Sequence, residues 1–421
     1  MNKGSIRFSR VLLTRCATAS LLGCTSDTTN NTSTDMGSNT DGEATETPLL
    51  SDSVYNTILG RPTDSSIAIS VLAAQAGDKV FIEYSTQLDA AQSSLLSTQL
   101  SAPVASISGE PMVVDLTGLS KDTKYYYRVH YQAEGSGDAL DKIHSFRTQR
   151  AKASAFHFGL MANATSLMLV NGNHEQAHLA NIGGIFNNAS VWAADGRLKY
   201  YPLPAPGAFY TGDETKLPAA NGYPSISARD GLLRDYYAFT WGDALFVTID
   251  PYWHSAAVSP DSTLFADPEP KWGATLGDEQ YSWLKKTLET SDAKWKFVFA
   301  HHVNGNNRGG AAIVGVQEWG GEPGFATNRP GWAKPVHQLF ADTKVTIIFQ
   351  GHDHMYAREK VDGVVYQEVP NPGDNSYFAY NCDAYGPPSI TWQEPAGYGV
   401  KDDSTCHQSY ERRCADTLRS C

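Results

Sequence analysis

The chain has 421 residues with Lys+Arg 33 against Asp+Glu 45, a net charge of −12, and at ~100–200 residues per domain it is long enough for two or three. Charged residues at 19% and hydrophobic residues at 41% describe a folded chain and not a disordered one. The acidic balance argues against a scaffold that grips nucleic-acid phosphates, and no uncharged apolar run nears the ~20 residues of a membrane-spanning helix.

The chain opens with Lys3, Arg7 and Arg10, followed by Val11-Leu12-Leu13 and a small apolar stretch from Cys16 to Gly23, with Arg15 interrupting. This reads as an export signal. Leu21-Leu22-Gly23-Cys24 resembles the cleavage box of bacterial lipoproteins, in which the Cys becomes the lipidated first residue. That resemblance implies a lipid anchor on Cys24 and, with Thr25 and not Asp next, an outer-membrane destination, periplasmic or at the cell surface. The plainer alternative is an ordinary export signal with a chance Cys. One acyl anchor tethers a protein without spanning the bilayer. Residues 25–50, almost wholly Ser, Thr, Asn, Asp, Gly and Glu as far as Thr47, bury too little apolar area to offset ordering entropy and are expected to be a disordered linker.

From 51 to 149 the pattern is all-β. Ser66 to Leu72 and Lys79 to Tyr84 alternate in polarity with period two, and Met112 to Leu116 leads into Leu119 to Val129, with His144 to Thr148 as a closing strand. Short strands separated by turn residues predict a β-sandwich. The run Leu116 to Val129 resembles the corner of a fibronectin type III-like module, where a Tyr ties the loop to the next strand. With no titratable cluster, this part is expected to serve structure or positioning.

From 150 to about 400 the pattern changes to α/β. Phe156 to Ala162, Leu167 to Val170, Leu245 to Ile249, Trp295 to Ala300 and Val345 to Phe349 are short apolar runs with little alternation, the pattern of strands buried on both faces. Asp278 to Leu288 carries Tyr281, Trp283-Leu284 and Leu288 at helical spacing, and Val336, Leu339 and Phe340 predict another helix. Three of the apolar runs end in metal-capable side chains: Gly172-Asn173-His174-Glu175, His301-His302 and Gly351-His352-Asp353-His354. Polar groups at the carboxyl ends of buried strands share one crevice. Imidazole and amide or carboxylate ligands without thiolates suit zinc, iron or manganese. Each motif alone has a plainer reading, as a Gly-Asn turn, a packed-and-exposed His pair or a surface His-x-His strand; the three in this order, each after an apolar run, favour a metal centre. Asp353, between two His, is expected to point away from it.

The order of these motifs resembles that of the calcineurin-like metallophosphoesterases, especially the purple acid phosphatase branch, whose members carry a fibronectin-like domain ahead of the catalytic one. The resemblance covers about Ser51 to Val400. It implies a four-layer αββα sandwich holding two metal ions bridged by water or hydroxide, and a phosphate ester as substrate. By that resemblance Asn173, His301 and His352 bind one metal and His354 the other. His174 lies beside the phosphoryl group as general acid or positive donor, and His302 contacts substrate.

Two of the family's motifs are absent. An Asp-x-His is expected after the first strand, where this chain has Asn163-Ala164-Thr165, and no Gly-Asp follows before Leu167. Only four residues separate the two apolar runs, too few for the crossover of roughly a dozen residues between parallel strands. Either the runs form a tight hairpin or a βαβ segment is lost; loss is the favoured reading. Gly212-Asp213 in a polar loop and Gly242-Asp243 at a turn are poor substitutes. The chain is therefore expected to hold at most one divalent metal ion tightly where the family holds two. The tail 401–421 is polar, lacks strand alternation and is atypical for the family. Of six cysteines, Cys16 and Cys24 lie in the signal and Cys382, Cys406, Cys414 and Cys421 near the C-terminus. None forms a C-x-x-C pair, and a bridge from Cys382 stays open in an exported chain. The leading function is thus an impaired metal-dependent phosphoric ester hydrolase. The alternative is a catalytically inactive exported protein that binds a phosphorylated or carbohydrate ligand through Trp192, Tyr200-Tyr201, Tyr210, Tyr236-Tyr237, Tyr252-Trp253 and Trp319.

Overall fold

The computed structural model describes residues 55–369 apart from 74–75, 77, 133–137, 157, 159–165, 173–188, 217–231, 251–271, 273–274, 302–316, 321–323 and 352–356. The expectations for the export signal, Cys24, the 25–50 linker, all six cysteines and the 401–421 tail lie outside the described residues. So do those for Asn173, His174, His302, His352 and His354.

The first part is all-β: β1 (Tyr55–Gly60), β2 (Ile67–Ala73), β3 (Lys79–Ser85), β4 (Gln87–Leu88), β5 (Leu95–Leu96), β6 (Gln99–Leu100), β7 (Val104–Ala105), β8 (Pro111–Leu116), β9 (Lys124–Gln132), β10 (Asp138–Leu140) and β11 (His144–Arg147). One sheet has the order β1-β2-β8. The other runs β10-β9-β3-β6, with β11 on β9 and β7 on β3. Period-two alternation selects the faces: Ile67, Ile69 and Val71 stand opposite Leu116, Val114 and Met112, and all six are buried with Val80, Ile82, Tyr125, Tyr127 and Val129 in one core. Such cross-strand apolar pairs hold an antiparallel sheet in register. The Tyr125 hydroxyl accepts the Ser120 N–H at 2.9 Å, the loop-to-strand tie expected from sequence.

The second part contains α1 (Ala189–Tyr200), β12 (Thr211–Gly212), β13 (Tyr237–Trp241), β14 (Ala244–Thr248), α2 (Asp278–Thr290), β15 (Trp295–Phe299), α3 (Phe325–Asn328), α4 (Val336–Asp342), β16 (Ile347–Gln350), β17 (Ala357–Val361) and β18 (Val364–Glu368). These strands form a mixed seven-stranded sheet in the order β12-β13-β14-β15-β16-β18-β17. β14, β15, β16 and β18 are mutually parallel, whereas β12/β13, β13/β14 and β17/β18 pair antiparallel. The β13–β14 hairpin turns at Gly242, φ +59°, a conformation that costs glycine little.

The sheet has unequal faces. Leu245, Val247, Ile249, Val298 and Ile348 are buried beneath Tyr281, Leu284 and Leu288 of α2 and Val336, Leu339 and Phe340 of α4. The opposite face is aromatic: Phe239, Phe246, Phe297, Phe299 and Phe349. Phe158 lies over these rings, T-shaped to Phe246 at 5.3 Å, yet is 42% exposed. Phe239, Phe299, Ile347 and Phe349 are only partly buried, so burial on both faces holds for β14 but not for β15 and β16. Helices cover one side; the other is only partly covered among the described residues.

A second correction concerns Leu167 to Val170, which joins no strand. The Leu167 N–H donates to Leu59 O at 2.8 Å, and Leu169 O accepts from the Tyr237 hydroxyl at 2.8 Å. Its backbone groups therefore find partners outside any ladder. The spacing argument for a lost crossover loses its second strand, while the absent family carboxylates stand apart from that argument. Described residues 151–156 and 158 are likewise not in a strand.

Candidate functional site

Strand direction brings one set of residues to one edge. Because β12, β14, β15, β16 and β18 run the same way, their carboxyl ends share an edge with the start of the antiparallel β13. In spatial order that edge presents Asp213 after β12, Asp235 before β13, Asp250 after β14, His301 after β15, Gln350-Gly351 at β16 and Glu368 at β18. Asp213, Asp235, Asp250, Gln350 and Glu368 are all buried.

The described residues that lead into all three expected motifs reach this edge. Asn171, buried at 3% exposure, donates from Nδ2 to Asp250 Oδ2 at 2.8 Å, which holds the residues just before Asn173-His174 against β14. The Ala300 N–H donates to Phe349 O at 3.0 Å and the Gly351 N–H to His301 O at 2.7 Å, so the parallel ladder continues past both strands and joins the second motif to the third. A methyl group placed on Gly351 would sit 3.8 Å from His301 Nδ1, so this imidazole lies beside the first residue of Gly-His-Asp-His. His301 is the one expected ligand whose position is described. Among the described residues, no group of three or more His, Cys, Asp or Glu is arranged to hold a metal ion. Of the expected donors, the His301 imidazole stands at this edge, beside Gly351; the Asn and His of the other two motifs lie outside the described residues.

Sequence reasoning set Asp213 aside as a poor substitute and overlooked Asp235, Asp250 and Gln280. Asp213 was expected in a polar loop, but it is fully buried: its N–H extends the β12–β13 ladder to Tyr236 O at 3.0 Å, and its Oδ1 accepts from the Thr215 N–H at 2.7 Å. The Asp235 carboxyl is pushed well above the ordinary carboxyl range, first by burial, then by the charge of and hydrogen bond with Asp213, then by Asp250. Burial also pushes the Tyr236 hydroxyl up, with Asp213 and Asp235 adding to it. Asp250 did leave a signal, since it ends an apolar run as Asn171 and His301 do. Asp235 left none, because burial of a charged residue before a strand is a tertiary property.

The aromatic residues proposed for ligand binding divide by exposure. Tyr210, Tyr236, Tyr237 and Trp319 are buried and serve packing, Tyr201 is half-buried, and Trp192 is 56% and Tyr200 38% exposed; Tyr252-Trp253 lie outside the described residues.

No family model matches the sequence, and no curated protein matches it. Among solved structures the chain is similar to PhoD, at 14% identity over 75% of this chain and 76% of that one, TM-score 0.47. It is also similar to purple acid phosphatase PPD1 from seeds of yellow lupin (Lupinus luteus), at 13% identity over 74% of this chain and 64% of that one, TM-score 0.43. A shorter likeness, to the fibronectin type-III domain of human fibronectin type III domain containing protein 3, has 10% identity over 26% of this chain and 95% of that domain, TM-score 0.19.

Proposed function

We propose that the chain is a metal-dependent phosphoric ester hydrolase of the calcineurin-like type, with a fibronectin type III-like sandwich ahead of its α/β part and with activity impaired by the absence of the first two metal motifs. The single observation that carries this reading is the arrival of three separate motif roots, at Asn171-Gly172, His301 and Gly351, on one carboxyl edge of the sheet. Asn173, His301 and His352 would hold one divalent ion and His354 would face a second. A bound divalent cation supplies a water of lowered pKa and offsets charge developing at phosphorus. The chain's own contribution is His174, which protonates the leaving alkoxide or donates to the phosphoryl oxygens, and His302, which contacts the ester.

Asp213 and Asp235 do not replace the absent bridging carboxylate. Their carboxyls engage each other at the far end of the edge, and Asp250 is committed to Asn171. Without a bridging anion two cations repel with little compensation. Titration calorimetry with Mn2+ or Zn2+ on the full chain is therefore expected to give one tight ion per chain; a stoichiometry of two would refute the impaired-site reading. Hydrolysis of a chromogenic phosphate monoester with added metal is expected to be slow and to fall further in His174→Ala. Equal rates for the two proteins would favour the inactive binding reading, with Trp192 and Tyr200 as its exposed rings. The basic start, the lipobox-like segment ending at Cys24 and the polar 25–50 stretch support an exported, membrane-tethered location.

A further inference from the structure

We propose that the edge strand β8 of the sandwich is a pairing surface for a second copy of this chain, the two β8 strands running antiparallel about a twofold at Val113. The assignment does not depend on the metal-site reading above, so either can fail alone. Among the described residues β8 pairs with β2 and with no other strand. It keeps unbroken register with β2, from Leu72 opposite Pro111 to Ile67 opposite Leu116, so no bulge twists this edge away. A strand on the rim of a sheet leaves one side of its backbone groups unpaired, and proteins blunt such edges with Lys, Pro, a bulge or a covering segment. In β8 the one Pro stands at the first position, where it interrupts no ladder, and there is no Lys.

The side of the sandwich beside β8 is open. A cleft of about 340 Å3 separates β8 from the edge of the other sheet, with Tyr84, Val104 and Leu116 along it. Leu100 of β6, Ile107 just before β8 and Val113 within it are all exposed. The acids of this stretch are already matched, Asp115 with Arg61 at 2.8 Å and Glu110 with Lys199 at 2.5 Å. A chain of net charge −12 repels its own copy, and an edge whose acids are paired is where two copies can approach. Antiparallel pairing about Val113 is also self-complementary. Val113 would stand opposite its own equivalent, Met112 opposite Val114 and Pro111 opposite Asp115, so outward residues meet outward ones, inward meet inward, and no like charges face each other. The sheet would continue without a break from one copy into the next.

The test is sedimentation velocity on the full chain. Strand pairing of this length makes a small interface, so the mean mass should climb from monomer toward dimer as concentration rises from about 1 to about 200 μM. Val113→Lys sets like charges opposite each other across the pair and should raise the dissociation constant by at least about tenfold, with Tm unchanged because the side chain faces solvent. Opposed residues bring their Cβ atoms to about 5 Å, so Val113→Cys should give a disulfide between two copies at position 113 on mild oxidation, identified by peptide mass. Leu140→Cys, exposed on the edge strand β10, should give none between copies at position 140. If Val113→Lys lowers Tm, the disulfide alone decides. A chain that stays monomeric to about 200 μM, a dimer that survives Val113→Lys, or equal disulfide yields from the two Cys variants would overturn the assignment. So would a monomer whose Val113 edge takes up a labelled Thr-Val repeat peptide, since the occupant is then another protein's strand.

Discussion

At the scale of single residues, the Asp213–Asp235 pair has the clearest physical consequence. Both side chains are buried, at 0% and 1% exposure, and Asp213 Oδ2 meets no hydrogen-bond donor among the described residues. A buried carboxylate oxygen without a donor is costly, and a proton held between the two acids removes that cost. Asp250, at the end of β14, adds its charge to the pressure on Asp235, while Glu279 of α2 acts on the neighbouring Tyr236 and Arg197 of α1 on Tyr237. Since the folded Asp235 holds its proton well above the ordinary value of 3.8, the folded chain binds more protons than the unfolded one once pH exceeds that value. Stability then falls as pH rises toward the folded value. The acids shifted the other way, Asp64 by Lys121, Asp89 by Ser93 and Asp342 by Lys334, act below about pH 5 and do not mask this decline. Urea midpoints taken from pH 5 to pH 8 should fall in the wild type and fall less steeply in Asp235→Asn, whose amide stays neutral and can donate to Asp213; the slope that remains comes from Glu318, which burial also pushes up. Parallel curves for the two proteins would show that the pair holds no extra proton. None of this was legible in the sequence, where Gly212-Asp213 looked like any polar turn; its burial depends on β12 pairing with β13.

At the scale of elements, the runs that sequence periodicity identified are strands or helices wherever a face is fully buried. Leu245 to Ile249, Trp295 to Ala300, Asp278 to Leu288 and Val336 to Phe340 all match observed elements to within a few residues. The reading failed for Leu167 to Val170 because four apolar residues constrain no ladder, and their partners come from Leu59 and Tyr237. The start of α2 shows another arrangement that spacing cannot reveal. Gly277 offers no side-chain cap, but Asp278 Oδ1 accepts from Trp332 Nε1 at 2.6 Å, and the Tyr281 and Trp332 rings stack at 3.9 Å. Glu318, buried at 3% exposure, accepts from the Leu276 N–H at 3.1 Å and pairs with Arg329; Arg329 also donates to Trp272 O at 2.8 Å. Burial alone pushes the Glu318 carboxyl up, and Thr275, Arg329 and Leu276 pull it back. Arg329→Ala would leave that carboxyl buried without its cation, a change that costs about 3–5 kcal/mol. Replacing both partners, Glu318→Gln with Arg329→Met, should recover much of the loss in urea denaturation. A loss below about 1 kcal/mol in the single variant would place the pair among weak surface bridges.

At the scale of the whole described unit, the β-sandwich and the seven-stranded sheet meet through polar contacts and one close approach. The sequence places a boundary near Gln149, where the pattern changes from alternating to continuous apolar runs, but it gives no sign of what crosses that boundary. Gln149 Nε2 donates to Thr240 O at 2.7 Å, the Tyr210 hydroxyl donates to Pro62 O, and Lys199 pairs with Glu110 at 2.5 Å. Gly60, at the end of β1, faces Pro202 so closely that a methyl group there would lie 2.4 Å from Pro202 O and 2.5 Å from Pro202 Cγ. One of those atoms is backbone and cannot swing aside, so relief requires the end of β1 and the segment after α1 to move apart. Next to them runs Leu59, whose carbonyl holds Leu167 four residues before Asn171. Overpacking of this kind typically costs about 1–3 kcal/mol, which at ~2–4 °C per kcal/mol for a unit of this size predicts a fall of several degrees in Tm for Gly60→Ala. The loss should appear in calorimetry as a lowered or split transition. Because the strain falls on the path from β1 to the segment that leads into the first candidate motif, exchange across residues 167–172 should quicken in the same variant. An unchanged single transition with unchanged exchange would mean that the two sheets fold without regard to this contact. The sandwich would then have no part in holding the candidate site.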